Sequence, residues 1–411
     1  MVRAPSSSPE GSVALTTIRE SVRPLVSKSR NPPLFPVFRP LRRIFYLWPA
    51  MEGIVRDTPA RSLRSLSAAE LEALVLECGE KRYRAAQIAL WLHHDDAADV
   101  EEMANVPKSL RSALTERGWT VEQMTEAGRQ ESSDGTVKWL YETWDGARVE
   151  CVLIPAEGRN SLCVSTQVGC AMKCAFCRTG RLGFKRNLSA GEILEQFVRT
   201  RRWLKENRPD APALTNVVFM GMGEPMNNLD EVEKAVRWLH DQRSSNLARR
   251  HLTVSTSGVV PGIREFARRG IPAQLAVSLN GTNQEMRSEL MPVSRRWPLP
   301  ELLAAVDEYI ATTGQEVTFE FVLIHGRTCT DKAAAELREI VRNRKCKVNA
   351  IALNASENED LVPPTAAEVE RFFSLMGNLR KHITLRQPRG RDILAACGQL
   401  AAKNQKANPT C

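Results

Sequence analysis

Cys170, Cys174 and Cys177 place three thiols within eight residues, in the run Gly169-Cys170-Ala-Met-Lys-Cys174-Ala-Phe-Cys177. Thiolates at such spacing can wrap one soft metal centre. The count of three is informative. A structural zinc site closes with four ligands, and no His follows at zinc-knuckle distance; an iron-sulfur cubane held by three Cys keeps one iron open to a small molecule. Zinc is therefore the minor reading. Cys163 and Cys397 lie more than 200 residues apart, and each alone reads as a small buried hydrophobe. In Gly221-Met-Gly223-Glu224-Pro225 two glycines permit close backbone approach and a carboxylate can pair with an ammonium, although the run alone is only a turn. Glu150 reads by itself as an exposed strand carboxylate. His93 and His94 read as a solvated helix end. Cys78, Cys151, Cys329, Cys346 and Cys411 read as packing or surface residues.

Elements must position these groups. Ser67-Ala-Ala-Glu70 is a capping box, with Leu71, Leu74, Val75 and Cys78 following at helical spacing. A second helix carries Ile88, Trp91 and Leu92, and a third lies around Pro107–Arg117, giving a small helical domain. Thr136–Thr143 and Ala147–Ile154 flank Asp145-Gly146 and predict a hairpin. From Ser161 strands alternate with helices. The strands are Leu162–Val168, Asn216–Met220, Leu252–Ser255, Gln274–Leu279, Val317–Ile324 and Val348–Leu353. The helices start at the capping box Ser189–Glu192 and recur near Glu231–Leu239, 261–269, 300–312, 331–343 and 365–378. Six strands joined by helices predict a parallel α/β unit, a partial (β/α)6 barrel, which periodicity does not separate from a doubly wound open sheet.

With 411 residues, 43% hydrophobic and 26% charged, the chain is of the globular class, and collagen-like, mucin-like and wholly disordered classes are excluded. Of the +9 formal charge, +6 falls in residues 1–50, which hold eight of the 57 Lys and Arg but two of the 48 Asp and Glu. Basicity thus permits a polyanionic partner without arguing one for the folded part. The apolar stretch Ile44–Val55, broken by Pro49 and Glu52, is too short to span a bilayer, and no secretory leader opens the chain. A cytoplasmic protein without a membrane span and with mostly reduced Cys is expected. The expected division is a Pro/Ser/Arg-rich extension over 1–58, a helical domain over 59–125, a β-hairpin linker over 126–160, a barrel with a catalytic C-terminal segment over 161–400, and a tail over 401–411. Met51, just before the regular sequence, is a candidate translation start; an Arg-rich arm touching RNA is the rival reading of 1–50.

Cys-x3-Cys-x2-Cys on the first loop of such a barrel resembles the radical S-adenosylmethionine superfamily. Further runs narrow the likeness: Leu-Cys163-Val-Ser-Thr-Gln-Val-Gly-Cys170, Phe184-Lys-Arg-Asn187-Leu, Gly221-Met-Gly223-Glu224-Pro225, Ser255-Thr-Ser-Gly258-Val-Val-Pro261, and Arg389-Gly-Arg-Asp392-Ile-Leu-Ala-Ala-Cys397-Gly-Gln399-Leu. Together they resemble the RlmN/Cfr family of RNA adenosine methyltransferases, from about Ser67 to Leu400. Two runs depart from the family pattern, Ser278-Leu-Asn280-Gly281 and Ile351-Ala-Leu-Asn354-Ala.

The resemblance implies a methyltransferase making 2-methyladenosine in structured RNA, namely 23S rRNA and also tRNA, with carbon 8 as the same-chemistry alternative. A radical enzyme on a non-RNA substrate and a non-catalytic RNA-binding metal protein are the rivals. It implies one 4Fe-4S cluster on Cys170, Cys174 and Cys177, two S-adenosylmethionine molecules per turnover, an electron donor such as flavodoxin or ferredoxin, and a monomer. Cofactor contacts are implied for Gly223, Glu224, Ser255, Ser278, Leu279, Asn280 and Asn354. Cys397 is implied to be methylated and to carry the methylene that adds to adenine. Cys163 is implied to release the covalent adduct by forming a disulfide with Cys397, and Glu150 to be the proton acceptor or adenine partner. An adenine ring carbon is not nucleophilic, which is why a radical route is needed, and the cofactor supplies that hard step.

Overall fold

The structure, a computed structural model, describes residues 61–354 and 360–401. The expected extension, its Met51 start and the tail beyond residue 401 lie outside the described residues.

The chain opens with β1 (Arg61–Ser62), followed by α1 (Ala68–Glu77), α2 (Tyr83–His93) and α3 (Lys108–Glu116), and β2 (Trp119–Thr120) pairs back on β1. The capping box at Ser67 forms in full: Glu70 N–H donates to Ser67 Oγ at 3.3 Å and Ser67 N–H to Glu70 Oε2 at 2.7 Å. Leu71, Leu74, Ile88, Leu92, Leu110 and Leu114 bury one face of the three helices. His93 departs from the sequence expectation. It is buried and stacks on Trp238 with centroids 4.2 Å apart, because it lies where the helical unit meets the barrel; His94 is exposed as expected.

The expected hairpin is half of a larger unit. β3 (Met124–Glu131), β4 (Val137–Thr143), β5 (Arg148–Ala156) and β6 (Arg159–Cys163) form an antiparallel meander, with Gly146 at φ +72° turning β4 into β5. The meander does not stand apart as a linker. β6 pairs antiparallel with β5 on one side and parallel with β9 (Leu214–Phe219) on the other, so one ten-stranded sheet runs β14-β13-β12-β11-β10-β9-β6-β5-β4-β3.

Between β6 and β9 the chain makes a separate ribbon, β7 (Gln167–Gly169) with β8 (Phe184–Asn187), enclosing the short helix α4 (Arg178–Arg181), and then α5 (Ala190–Asn207). The expected strand Leu162–Val168 is thus split at the point where its backbone leaves the sheet. The βα units continue as α6 (Leu229–His240), β10 (Leu252–Thr256), α7 (Val260–Arg268), β11 (Gln274–Ser278), α8 (Gln284–Leu290), α9 (Leu299–Thr313), β12 (Val317–Leu323), α10 (Asp331–Val341), β13 (Cys346–Ala352), α11 (Ala366–Leu375) and β14 (Ile383–Arg386). In the main sheet every pairing from β6 through β9 to β14 is parallel, and the strand interiors are apolar because helices cover the sheet. β14 adds a seventh parallel strand to the six expected, and β3 and β14 remain unjoined edges, so the barrel is open.

Candidate active site

The residues at the carboxyl ends of β9 to β14 converge. Gly221 and Glu224 after β9, Ser255 of β10, Ser278 of β11, Glu320 of β12, Asn354 beyond β13 and Arg386 of β14 line one cleft, which requires the open sheet to curve around it. The cleft encloses about 1100 Å³, solvent at its mouth included. Parallel α/β sheets place ligands at this end of their strands.

Cys170, Cys174 and Cys177 form part of the same wall. Their loop leaves the ribbon at Gly169, whose φ is +76°; a Cβ there would lie 1.8 Å from the Gly183 carbonyl oxygen, so no side chain fits. Cys170 N–H donates to that same carbonyl at 2.9 Å. Burial pushes the Cys170 thiol up to about 12, and burial with the neighbouring thiols pushes Cys174 well above its ordinary value. The free Cys170 and Cys174 thiols are therefore neutral, and a cationic metal centre is what would draw their protons off. Among the described residues, no three His, Cys, Asp or Glu form a group that could hold a metal ion by themselves. Three soft thiols on the wall of a common cleft are the donor type that an iron-sulfur cluster takes.

Glu224 is buried beside them. Its carboxylate accepts from Ser257 N–H and Oγ–H, both at 2.7 Å, and from Met226 N–H at 3.1 Å. Burial nonetheless raises its pKa, with the Ser257 bonds opposing. The carboxylate also takes a side-chain hydrogen bond from Thr256, and it lines the cleft, where it can meet a cationic ligand group. Gly223, at φ +110°, packs against Gln167, and Glu224 N–H donates to Gln167 Oε1 at 2.8 Å. Asn280 lines the cleft at φ +47° with Oδ1 accepting from Val322 N–H at 3.0 Å. Leu279 is fully buried and its side chain does not line the cleft; its N–H donates to the Glu320 carbonyl at 2.9 Å.

Cys397 reaches this cleft from the C-terminal segment, which has almost no regular structure and is held by long-range bonds. Gly390 N–H donates to Asp134, Asp392 accepts from Ser132 Oγ–H at 2.6 Å, Lys138 Nζ donates to the Leu394 carbonyl at 3.3 Å, and Thr179 Oγ–H donates to the Leu400 carbonyl at 2.7 Å. Arg178 N–H donates to the Gly398 carbonyl at 2.8 Å, so the segment lies directly on the cysteine loop. Asn354 Nδ2 donates to the Cys397 carbonyl at 3.2 Å and its Oδ1 accepts from Arg391. Cys397 is exposed and Cys163, at the end of β6, is buried; both are free thiols lining a second cavity that shares Cys177, Gly221, Asn354 and Arg386 with the first. Burial, and then Cys397, push the Cys163 thiol up to about 12.

Glu150 is buried behind this segment rather than on either cavity wall. It pairs with Lys138 Nζ at 3.1 Å and accepts from Ala401 N–H at 2.7 Å. Sequence reasoning missed Arg287, Glu320 and Arg386. Fully buried Arg287 donates to the carbonyls of Ser257, Leu279 and Ser278 and so fixes two cleft loops together. Glu320 accepts from Asn349 Nδ2 at 2.9 Å and stands 3.8 Å from Arg386. The polar Glu320 inside the apolar run Val317–Leu323 was the available signal; Arg287 gave none.

Residues 62–118 match the family described as the ribosomal RNA large subunit methyltransferase N-terminal domain, and residues 164–338 match the radical SAM superfamily. The chain is 43% identical over 363 residues to the dual-specificity RNA methyltransferase RlmN of Anaeromyxobacter dehalogenans, covering 87% of this chain and 96% of that protein. It is 40% identical to a probable RlmN of Halalkalibacterium halodurans, covering 84% and 94%. A radical SAM methyltransferase from Sphaerobacter thermophilus, solved by crystallography, superposes with a TM-score of 0.79 at 42% identity, covering 84% of this chain and all of that one.

Proposed function

Because the chain belongs to the RlmN family of radical S-adenosylmethionine RNA methyltransferases, we propose that it methylates carbon 2 of an adenosine in 23S rRNA and in tRNA, through a methylated Cys397. The observation that carries this reading is that Cys397 lines the cleft lined by Cys170, Cys174 and Cys177, and that Cys163 and Cys397 both line an adjoining cavity.

One 4Fe-4S cluster, held by Cys170, Cys174 and Cys177, and S-adenosylmethionine supply methyl groups and one-electron chemistry when bound. Two cofactor molecules serve each turnover, one for Cys397 and one for hydrogen abstraction. Glu224 receives the cofactor's ammonium, while Gly223, Ser255, Ser278, Asn280 and Asn354 shape the rest of its site and Leu279 contributes backbone alone. Asn354 and the Glu150–Ala401 bond seat the segment that presents Cys397. The Glu150 carboxylate is the proposed proton acceptor. The Cys163 thiolate attacks the sulfur of Cys397 and breaks its bond to the carbon attached to adenine; that carbon leaves with the electron pair and takes a proton to become the methyl group, and the Cys163–Cys397 disulfide left on the enzyme is reopened by an external two-electron reductant. An electron donor such as flavodoxin or ferredoxin serves the cluster, and the enzyme acts as a cytoplasmic monomer; no helix among the described residues is long and apolar enough to cross a membrane.

Mass spectrometry of nucleosides from rRNA and tRNA tests the reading. A strain lacking the gene should lose 2-methyladenosine from both and regain it on complementation. Unchanged 2-methyladenosine, or loss of 8-methyladenosine instead, would overturn the assignment.

A further inference from the structure

The run Phe184-Lys-Arg-Asn187 divides by direction. Arg186 turns back and binds Asp145 and Glu192 through paired bonds of 2.8–2.9 Å, with its guanidinium over Trp144. Asn187 accepts from Gln167 Nε2 at 2.8 Å. The other two residues face water. Phe184 is 47% exposed and Leu182, just before it, 39%, with Lys173, Arg181 and Lys185 also exposed on the same loop. A rigidly braced ribbon that holds a phenyl ring and a leucine in water forgoes their burial, which a surface with a partner recovers.

Six large hydrophobic side chains are exposed among the described residues, and Leu182 and Phe184 are the two that lie on the loop carrying the cluster thiols. Gly183, between them, accepts the hydrogen bond from Cys170 N–H. The opposite flank of the loop, at Arg178 and Thr179, is covered by the segment that bears Cys397. We infer that the Leu182–Lys185 surface docks an acidic one-electron carrier protein beside the cluster. The inference rests on the cluster assignment of the proposed function. Cation-flanked apolar residues suit an acidic protein, and closeness to a cluster ligand matters for electron delivery in a way that it does not for RNA contact. Each delivery would oxidise the carrier by one electron, which a cluster held by Cys170, Cys174 and Cys177 would pass on to bound S-adenosylmethionine.

The test uses cluster-loaded full-length enzyme, reduced either by flavodoxin, an acidic carrier, or by dithionite. A Phe184→Ala, Lys185→Glu double variant should bind oxidised flavodoxin about tenfold more weakly, by calorimetry at low salt. Flavodoxin-driven cofactor cleavage should fall while dithionite-driven cleavage stays at the wild-type rate; Lys185→Arg should bind normally. Wild-type flavodoxin affinity in the double variant would overturn the inference, and unchanged flavodoxin binding with weakened RNA binding would assign the surface to RNA instead. Absence of dithionite-driven cleavage in the wild-type protein would count against the cluster reading itself.

Discussion

Glu150 and Ala401, 251 residues apart, are joined by a 2.7 Å hydrogen bond from the Ala401 N–H to the carboxylate, and Lys138 approaches the same carboxylate at 3.1 Å. This pair ties the antiparallel half of the sheet to the segment that presents Cys397. Glu150→Ala leaves a buried Lys138 without its counter-charge and should cost roughly 3–5 kcal/mol, read from a shifted urea midpoint. Glu150→Gln keeps an acceptor for Ala401 N–H, so proteolysis should find the segment still seated, while methylation falls by about 10²–10⁴-fold for loss of a general base. Full methylation by a well-folded Glu150→Gln protein would reduce Glu150 to an anchor.

Cys163→Ala and Cys397→Ala should differ in kind. The first should still attack RNA and stall as a covalent complex, whereas the second should form no complex. After nuclease treatment, intact-mass measurement should find nucleotide mass on the Cys397 peptide of Cys163→Ala alone. Two similar, mildly destabilised proteins without adduct would instead mark both residues as packing.

In the wild-type enzyme, release of the covalent intermediate should accelerate with alkali. Burial is the larger cause of the raised Cys163 thiol, about 12 in the free enzyme, and it persists once Cys397 is alkylated, so the reactive thiolate should increase about tenfold per pH unit through the neutral and mildly alkaline range. The same shift has a stability consequence of opposite sign. An unfolded thiol loses its proton near 9 while folded Cys163 retains it to about 12, so its contribution is complete below pH 9 and declines by about 1.4 kcal/mol per unit above that. Urea midpoints of wild type and Cys163→Ala between pH 8 and 10 should show the shallower decline in the variant.

Cys170→Ala, Cys174→Ala and Cys177→Ala should each abolish cofactor cleavage and lose the visible absorbance of an iron-sulfur centre. Wild-type protein reconstituted without oxygen should hold about four irons. Because α1 to α3 bury their own apolar face, the far-ultraviolet helical signal should persist in all three variants. Stoichiometric zinc with no iron in the reconstituted wild type would contradict the cluster.

What the sequence made legible was local. The capping boxes at Ser67 and Ser189 complete themselves within four residues, and the cysteine triplet within eight, so neither depends on distant chain. β14 escaped notice because Ile383–Arg386 is four residues without room for a period, and α8 because seven residues carry barely two turns. His93 and Arg287 are polar residues whose burial is decided by partners on other elements, a stacked Trp238 and three carbonyls. The continuity of the meander with the barrel was hidden for the same reason: β6 pairs with β9 some fifty residues later, across a ribbon that leaves the sheet.

The bonds from Ser132, Asp134, Lys138 and Glu150 to residues 390–401 set an order of assembly during synthesis. A chain leaving the ribosome presents its helical unit, meander and cysteine loop long before residue 397 exists, and early-emerging parts fold first. The four tethers can close only after residues 390–401 have emerged, so a nascent chain can form its cysteine loop while still lacking Cys397. Under the proposed role of Cys397, reactivity toward RNA is withheld from every chain that has not yet reached these tethers.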